Sequence, residues 1–149
     1  MGRILAIDYG RKRIGIAVTD PCQIIANSLT TVGPHEIMRF LSEYFSREKV
    51  DRVVVGYPKQ LDNTDSENMK YIKPFLSGFR KRFPDMPVEM YDERFSSVLA
   101  HKALIDGGAK KKQRQNKAIV DAISATIILQ SYMEFRRNQS HGTQIFDSL

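Results

Sequence analysis

Ile4-Leu5-Ala6-Ile7-Asp8-Tyr9-Gly10 is apolar on both faces until residue 8, then turns through Arg11-Lys12-Arg13 into Ile14-Gly15-Ile16-Ala17-Val18. A strand apolar on both faces lies inside a sheet with layers above and below it, and two such runs joined by a short polar turn predict a central β-hairpin. Its tip carries an acid. Glu93 stands in a comparable place after the strand-like run from Val88 to Tyr91, and Asp121 interrupts an almost wholly apolar helical stretch. Burying an unpaired carboxylate costs several kcal/mol, a large part of the stability of a small domain, so such groups persist only with a partner such as a cation. Mg²⁺ or Mn²⁺ suits this donor set, because hard cations take carboxylate oxygen and keep water for chemistry.

Working outward, the pattern alternates. Gln23 to Val32 contains a third strand, and Glu36 to Arg47 places Ile37, Phe40, Leu41, Tyr44 and Phe45 at helical spacing. Val53-Val54-Val55-Gly56 reads as a buried parallel strand ending at Tyr57-Pro58. A polar loop from Lys59 to Asp65 leads to a helix starting near Ser66, with Met69, Ile72, Leu76, Phe79 and Phe83 on its apolar face and a kink or break expected at Pro74. After the strand at Val88, Ser96 or Ser97 caps a short helix that Gly107 ends, and a closing helix runs from about Asn116 to Arg136. Three strands joined by tight turns, then strand and helix in alternation, predict an α/β fold with a mixed five-stranded sheet and helices on both faces. Within the closing helix, Ala118, Ser124 and Ala125 flank Asp121 with small side chains, which lets the helix approach the sheet and the acid reach the strand ends.

The 149 residues, 42% of them hydrophobic, are enough for one substantial core. They predict one domain over 1–137 with a polar, frayed tail over 138–149. The apolar runs are of strand length or broken by polar residues and the start lacks a signal-peptide core, so the expected setting is cytoplasmic, with no membrane. Cys22 has no cysteine to pair with and reads as a small packed residue rather than a catalytic thiol. His35, His101 and His141 are scattered and read as surface or structural residues.

The net charge of +6 is concentrated at Arg11-Lys12-Arg13, Arg80-Lys81-Arg82, Lys110-Lys111-Lys112 with Arg114 and Lys117, and Arg136-Arg137. That distribution is the footprint of a polyanion partner. Cations at Arg80–Arg82 and Arg136-Arg137 also suit helix C-termini and are read as solvated surface. The stretch from Lys110 to Lys117 follows Gly107-Gly108, lacks an apolar anchor beyond Ala109, and leads into the Asp121 helix, so it is expected to be a mobile loop that holds phosphate beside the acids.

Ile7-Asp8-Tyr9-Gly10 with Lys12-Arg13-Ile14-Gly15, then Val55-Gly56-Tyr57-Pro58, Asp92-Glu93-Arg94 with Phe95-Ser96-Ser97, and Asp121-Ala122 ahead of Ile127-Ile128-Leu129-Gln130, resemble the YqgF/RuvX family of ribonuclease H-like nucleases over nearly the whole chain. The resemblance implies a ribonuclease H-like fold and a nuclease maturing the 5′ end of the small-subunit ribosomal RNA precursor, with Holliday-junction resolution as the alternative. Carried over residue by residue, it makes Asp8, Glu93 and Asp121 the catalytic acids and metal ligands. The chain departs from the family's usual pattern at Asp62-Asn63-Thr64 and at Phe95-Ser96-Ser97, which bears on loop geometry and substrate contacts.

Phosphodiester hydrolysis needs an activated water and stabilised charge on the attacking and leaving oxygens, which metal ions held by carboxylates supply. The expected nucleic-acid contacts are Lys12, Arg13, Arg94, Lys110, Lys111, Lys112, Arg114 and Lys117. Arg94 suits a phosphate clamp and a structural partner of Asp92 or Glu93 equally well, while Asp92 suits a supporting or helix-capping role. Structured RNA is the favoured substrate and branched DNA the other, with a monomer or a homodimer compatible with the residues. Two rival classes exist. Asp-Tyr-Gly before a hairpin also resembles the first phosphate loop of sugar kinases, actin and chaperone ATPases, but those close two such domains around a nucleotide and this chain has room for one. A non-catalytic nucleic-acid-binding module would be expected to have lost an acid, and none of the three is missing.

Overall fold

A computed structural model describes residues 1–57, 69–100 and 117–147, with side chains described over 121–139 of the last span. The predicted hairpin forms as β1 (Arg3–Tyr9) and β2 (Ile14–Thr19), joined antiparallel, and β3 (Ala26–Val32) pairs antiparallel with β2. β4 (Val50–Tyr57) then adds parallel to β1, and β5 (Val88–Asp92) parallel to β4. The sheet order is β3-β2-β1-β4-β5, which puts β1 at the centre, as its two-sided apolarity requires.

Side chains alternate between the two faces of a strand, and here the alternation separates two cores. Leu5 and Ile7 of β1, Ile14, Ile16 and Val18 of β2, and Val53 and Val55 of β4 point to one face. There they meet α1 (Ile37–Arg47) and α2 (Met69–Arg82) through Ile37, Leu41 and Tyr44 and through Met69, Ile72, Phe75, Leu76 and Phe79. Ile4, Ala6, Ala17, Val54 and Tyr91 point to the other face and meet Ala125, Ile128, Leu129, Tyr132 and Met133 of α3 (Lys117–Asp147). The mixed five-stranded sheet with helices on both faces is therefore as expected.

Four expectations are corrected or refined. α2 continues through Pro74 without interruption, because Ile72, Phe75, Leu76 and Phe79 anchor both sides of the proline in the core and tertiary packing offsets the lost hydrogen bond. α3 extends to Asp147 rather than ending at Arg136, its backbone bonds being made within the helix even where the sequence turns polar. Cys22 is exposed rather than packed: it sits in the turn between β2 and β3, where Asp20 accepts the backbone N–H groups of Cys22, Ile24 and Ile25. Ser96, not Ser97, supplies the cap, its Oγ accepting the Val98 N–H at 3.2 Å at the start of a helical turn over 98–100. The helix start near Ser66, the departure at Asp62-Asn63-Thr64, the Gly107 helix end and His101 lie outside the described residues. His35 is exposed. Among the described residues, no helix is long and apolar enough to cross a membrane.

Candidate active site at the strand ends

Asp8 is the last residue of β1 to point toward α3, one pleat beyond Ala6. Both of its neighbours across the sheet are glycines: Gly15 of β2 on one side and Gly56 of β4 on the other. The result is a carboxylate standing in a slot with no side-chain walls, yet only 5% exposed because other groups close over it.

The glycines decide what those groups are. A Cβ on Gly15 would collide with the backbone carbonyl of Asp121, so its absence is what lets the first described turns of α3 lie directly on the sheet. A Cβ on Gly56 would come within 2.6 Å of Ile128 Cδ1 and 3.3 Å of Glu93 Oε1. Glu93 opens a single 3-10 turn, Glu93–Phe95, directly after β5, and at 1% exposure is more deeply buried than Asp8. The turn is fastened to α3: Ser131 Oγ meets Tyr91 Oη at 2.7 Å and donates to the Phe95 carbonyl at 3.1 Å. Asp8, Glu93 and the Asp121 backbone thus lie at one end of the central strands.

The side chain of Asp121 has a different engagement. Arg13, at the end of the β1–β2 turn, donates from Nε to Asp121 Oδ2 at 2.8 Å. With Gly10, Arg11 and Lys12 these two residues line an open cleft of about 390 Å³. Among the described residues, no three His, Cys, Asp or Glu side chains stand close enough together to hold a metal ion. The three acids share one end of the sheet without closing on a point. Carboxylates brought together without a cation repel one another, and Asp121 has a guanidinium within reach. The donor chemistry nevertheless fits a hard cation: Asp8 and Glu93 are two nearly buried carboxylates on the same face, both beside Gly56.

Arg94 is engaged by Asp92, one of the two structural partners expected for it. Its Nη2 donates to Asp92 Oδ2 at 2.6 Å, its Nε reaches both Asp92 oxygens, and its backbone N–H also goes to Asp92 Oδ1, which caps the 3-10 turn. These bonds raise the guanidinium's pKa above its ordinary value. Tyr91 faces α3, so alternation sends Asp92, the last residue of β5, to the other face, while Glu93 in the turn that follows lies beside Gly56. Lys12 is exposed in the cleft turn. Lys110, Lys111, Lys112 and Arg114 lie outside the described residues, and Lys117 begins α3 with its side chain outside them.

Residue-type reasoning overlooked the two glycines as parts of the site, although a glycine inside a strand pattern signals close approach of another backbone. It also overlooked the Arg13 pairing, which joins residues 108 positions apart and has no local signal. Phe95 is a further feature of the site's rim, a phenyl ring 68% exposed immediately after Glu93 and Arg94.

A family model described as "RuvX: Holliday junction resolvase" matches residues 2–135. A relative from Phocaeicola vulgatus, named "Putative pre-16S rRNA nuclease", is 62% identical over 137 residues, covering 92% of this chain and 99% of its own. Proteins of the same name from Bacteroides fragilis and Flavobacterium johnsoniae are 62% and 52% identical over the same share of each chain. Among solved structures, T. thermophilus RuvC in complex with a Holliday junction substrate is similar in fold, with a TM-score of 0.51 at 16% identity, over 93% of this chain and 97% of that one.

Proposed function

The chain belongs to the RuvX family, and from that premise we propose that it hydrolyses phosphodiester bonds in structured nucleic acid, with the 5′ end of the 16S ribosomal RNA precursor as its substrate. The observation that carries the reading is the glycine-flanked carboxylate: Asp8 in the central strand, with Gly15 admitting the Asp121 segment on one side and Gly56 admitting Glu93 on the other. A structural aspartate would need only a hydrogen-bond partner, not an absence of side chains in both neighbouring strands.

Asp8, Glu93 and Asp121 are the residues that would hold Mg²⁺ or Mn²⁺. A divalent cation bound there supplies an activated water and neutralises charge at the attacked phosphate. The chain's own contributions are positional. Burial of Asp8 and Glu93 keeps bulk water from competing for their oxygens, and the fastening of the Glu93 turn to Ser131 fixes the direction of that carboxylate. Arg11, Lys12 and Arg13 line the adjoining cleft with positive charge that suits a phosphate backbone. The family description favours a four-way DNA junction as the second substrate, whereas the names of relatives at 62% identity favour RNA. The same reading places the protein in the cytoplasm, beside nascent ribosomes.

The test is cleavage of a 16S precursor RNA and of a four-way DNA junction side by side, at matched Mg²⁺ and salt. Site-selective cutting of the RNA near the mature 5′ end, abolished by chelator and by Asp8→Asn, is the expected result. Selective cutting of the junction alone would replace the substrate assignment, and undiminished cutting by Asp8→Asn would overturn the site.

A further inference from the structure

Among the described residues, two arginine–aspartate pairs stand at the same end of the sheet, and they are built differently. Arg94 holds Asp92 through several hydrogen bonds, and the Asp92 side chain is only 3% exposed. Removing Arg94 would strand the buried Asp92 carboxylate, so this pair is a fixed part of the frame. Arg13 holds Asp121 through its Nε, with side chains 38% and 24% exposed. An ion pair so open to solvent contributes little net stability and can be exchanged for another partner at small cost.

Its placement gives that exchange a consequence. Asp121 sits at the point where α3 crosses Gly15, one strand from Asp8, while Arg13 ends the turn lining the cleft with Arg11 and Lys12. We propose that Arg13 is a displaceable internal counter-ion for Asp121, occupying that carboxylate in the metal-free protein and surrendering it when a divalent cation enters beside Asp8 and Glu93. The exchange conserves the charge balance of Asp121 and releases a guanidinium into a cleft already lined by Arg11 and Lys12, where a substrate phosphate can accept it. Metal loading and phosphate binding are then coupled through one side chain, and an unloaded site is kept from presenting three repelling acids. This inference rests on the reading that the acids load a divalent cation.

The experiment titrates Mg²⁺ into the full-length protein by calorimetry, comparing wild type with Arg13→Gln, and follows the Arg13 Nε–H resonance in the wild type during the titration. Arg13→Gln no longer competes for Asp121 and should bind Mg²⁺ about two- to fivefold more tightly, the scale of a partly exposed ion pair. It should also cleave more slowly, because the released cation is missing. In the wild type the Nε–H signal should shift with Mg²⁺ occupancy and do so less in Asp121→Asn. Equal or weaker Mg²⁺ binding by Arg13→Gln, or a resonance unmoved at saturation, overturns the counter-ion while leaving a metal-dependent nuclease intact. Failure of the wild type to bind Mg²⁺ at all overturns both. Should Arg13→Gln fold poorly, the wild-type resonance decides alone.

Discussion

The two faces of this sheet are made by the same strands and end differently. Toward α1 and α2 the strands stay apolar, Ile7 beside Ile16 and Val55, and the helices answer with bulky rings: Phe79 meets Phe45, Phe75 and Phe83 at centroid distances of 6.4, 6.0 and 5.1 Å. Toward α3 the same strands run out through Ala6, Ala17 and Val54 into Gly15, Asp8 and Gly56. One face gathers volume where the other gives it up. The lesson is that period-two alternation lets a single set of strands carry the stability of the domain on one side and keep empty space, charge and close backbone approach on the other.

The sharpest way to break that comparison is to empty the crowded face. Phe79 is fully buried among three rings, so Phe79→Ala should cost about 3–5 kcal/mol of unfolding free energy. Cleavage per folded molecule should be unchanged, because Phe79 packs on the face of the sheet opposite Asp8. Urea melts paired with activity normalised to the folded fraction check both halves, and a specific activity lost in proportion beyond the unfolded fraction would mean that the faces are not separable.

The converse change is Asp8→Asn. It keeps the volume of the side chain and removes its charge, so cleavage should fall by about a hundredfold or more, while stability shifts by no more than about 1 kcal/mol. A variant that unfolds instead would make Asp8 a structural aspartate and erase the functional contrast between the faces.

Gly15→Ala should move both quantities, since its methyl would meet the backbone of Asp121 rather than a yielding side chain. The cost should be about 1–3 kcal/mol, as for other overpacking, together with a loss of cleavage as α3 lifts from the sheet. Gly56→Ala meets chiefly the tip of Ile128 and should be milder in stability while still disturbing Glu93. Equal effects at the two glycines would show that α3 is not seated where Gly15 places it.

These residues also show what a sequence can and cannot carry. The hairpin, the central place of β1, the strand-end positions of Asp8 and Glu93 and the helix bearing Asp121 all follow from periodicity, because alternation and helical spacing are local and repeat within a few residues. The pairing of Arg13 with Asp121 spans 108 positions and lies in no window of sequence, whereas Arg94 and Asp92 are two positions apart, so that pairing was legible as an alternative although the local pattern did not choose between Asp92 and Glu93. Gly15 and Gly56 lie between: each marks a close approach, but not to what. The continuation of α2 through Pro74 was illegible for a related reason, the local penalty being visible and the compensating burial of Phe75 and Phe79 not.

The smallest change tests how far along α3 the chemistry extends. Tyr132 is on the same face as Asp8, and its hydroxyl donates to Glu89 Oε2 at 2.8 Å while accepting from Arg52 Nη1 at 3.1 Å. Tyr132→Phe leaves the Arg52–Glu89 ion pair in place at 2.6 Å, and Glu89 is exposed enough for water to replace the lost bond, so the cost should be about 1 kcal/mol. Burial, aided by the bond to Glu89 and opposed by Arg52, raises the phenol's pKa above its ordinary value. The folded chain therefore keeps this proton after the unfolded chain has begun to lose it. Stability drawn from the shift is complete below about pH 10 and declines as pH rises through the folded pKa. Tyr132→Phe should flatten that alkaline decline without abolishing it, because burial raises Tyr9 and Tyr44 in the same direction. Urea melts across the alkaline range measure the slope. An unaltered slope would remove Tyr132 from the linkage, and a large loss of cleavage near neutral pH would extend the functional half of the α3 face well beyond the carboxylates.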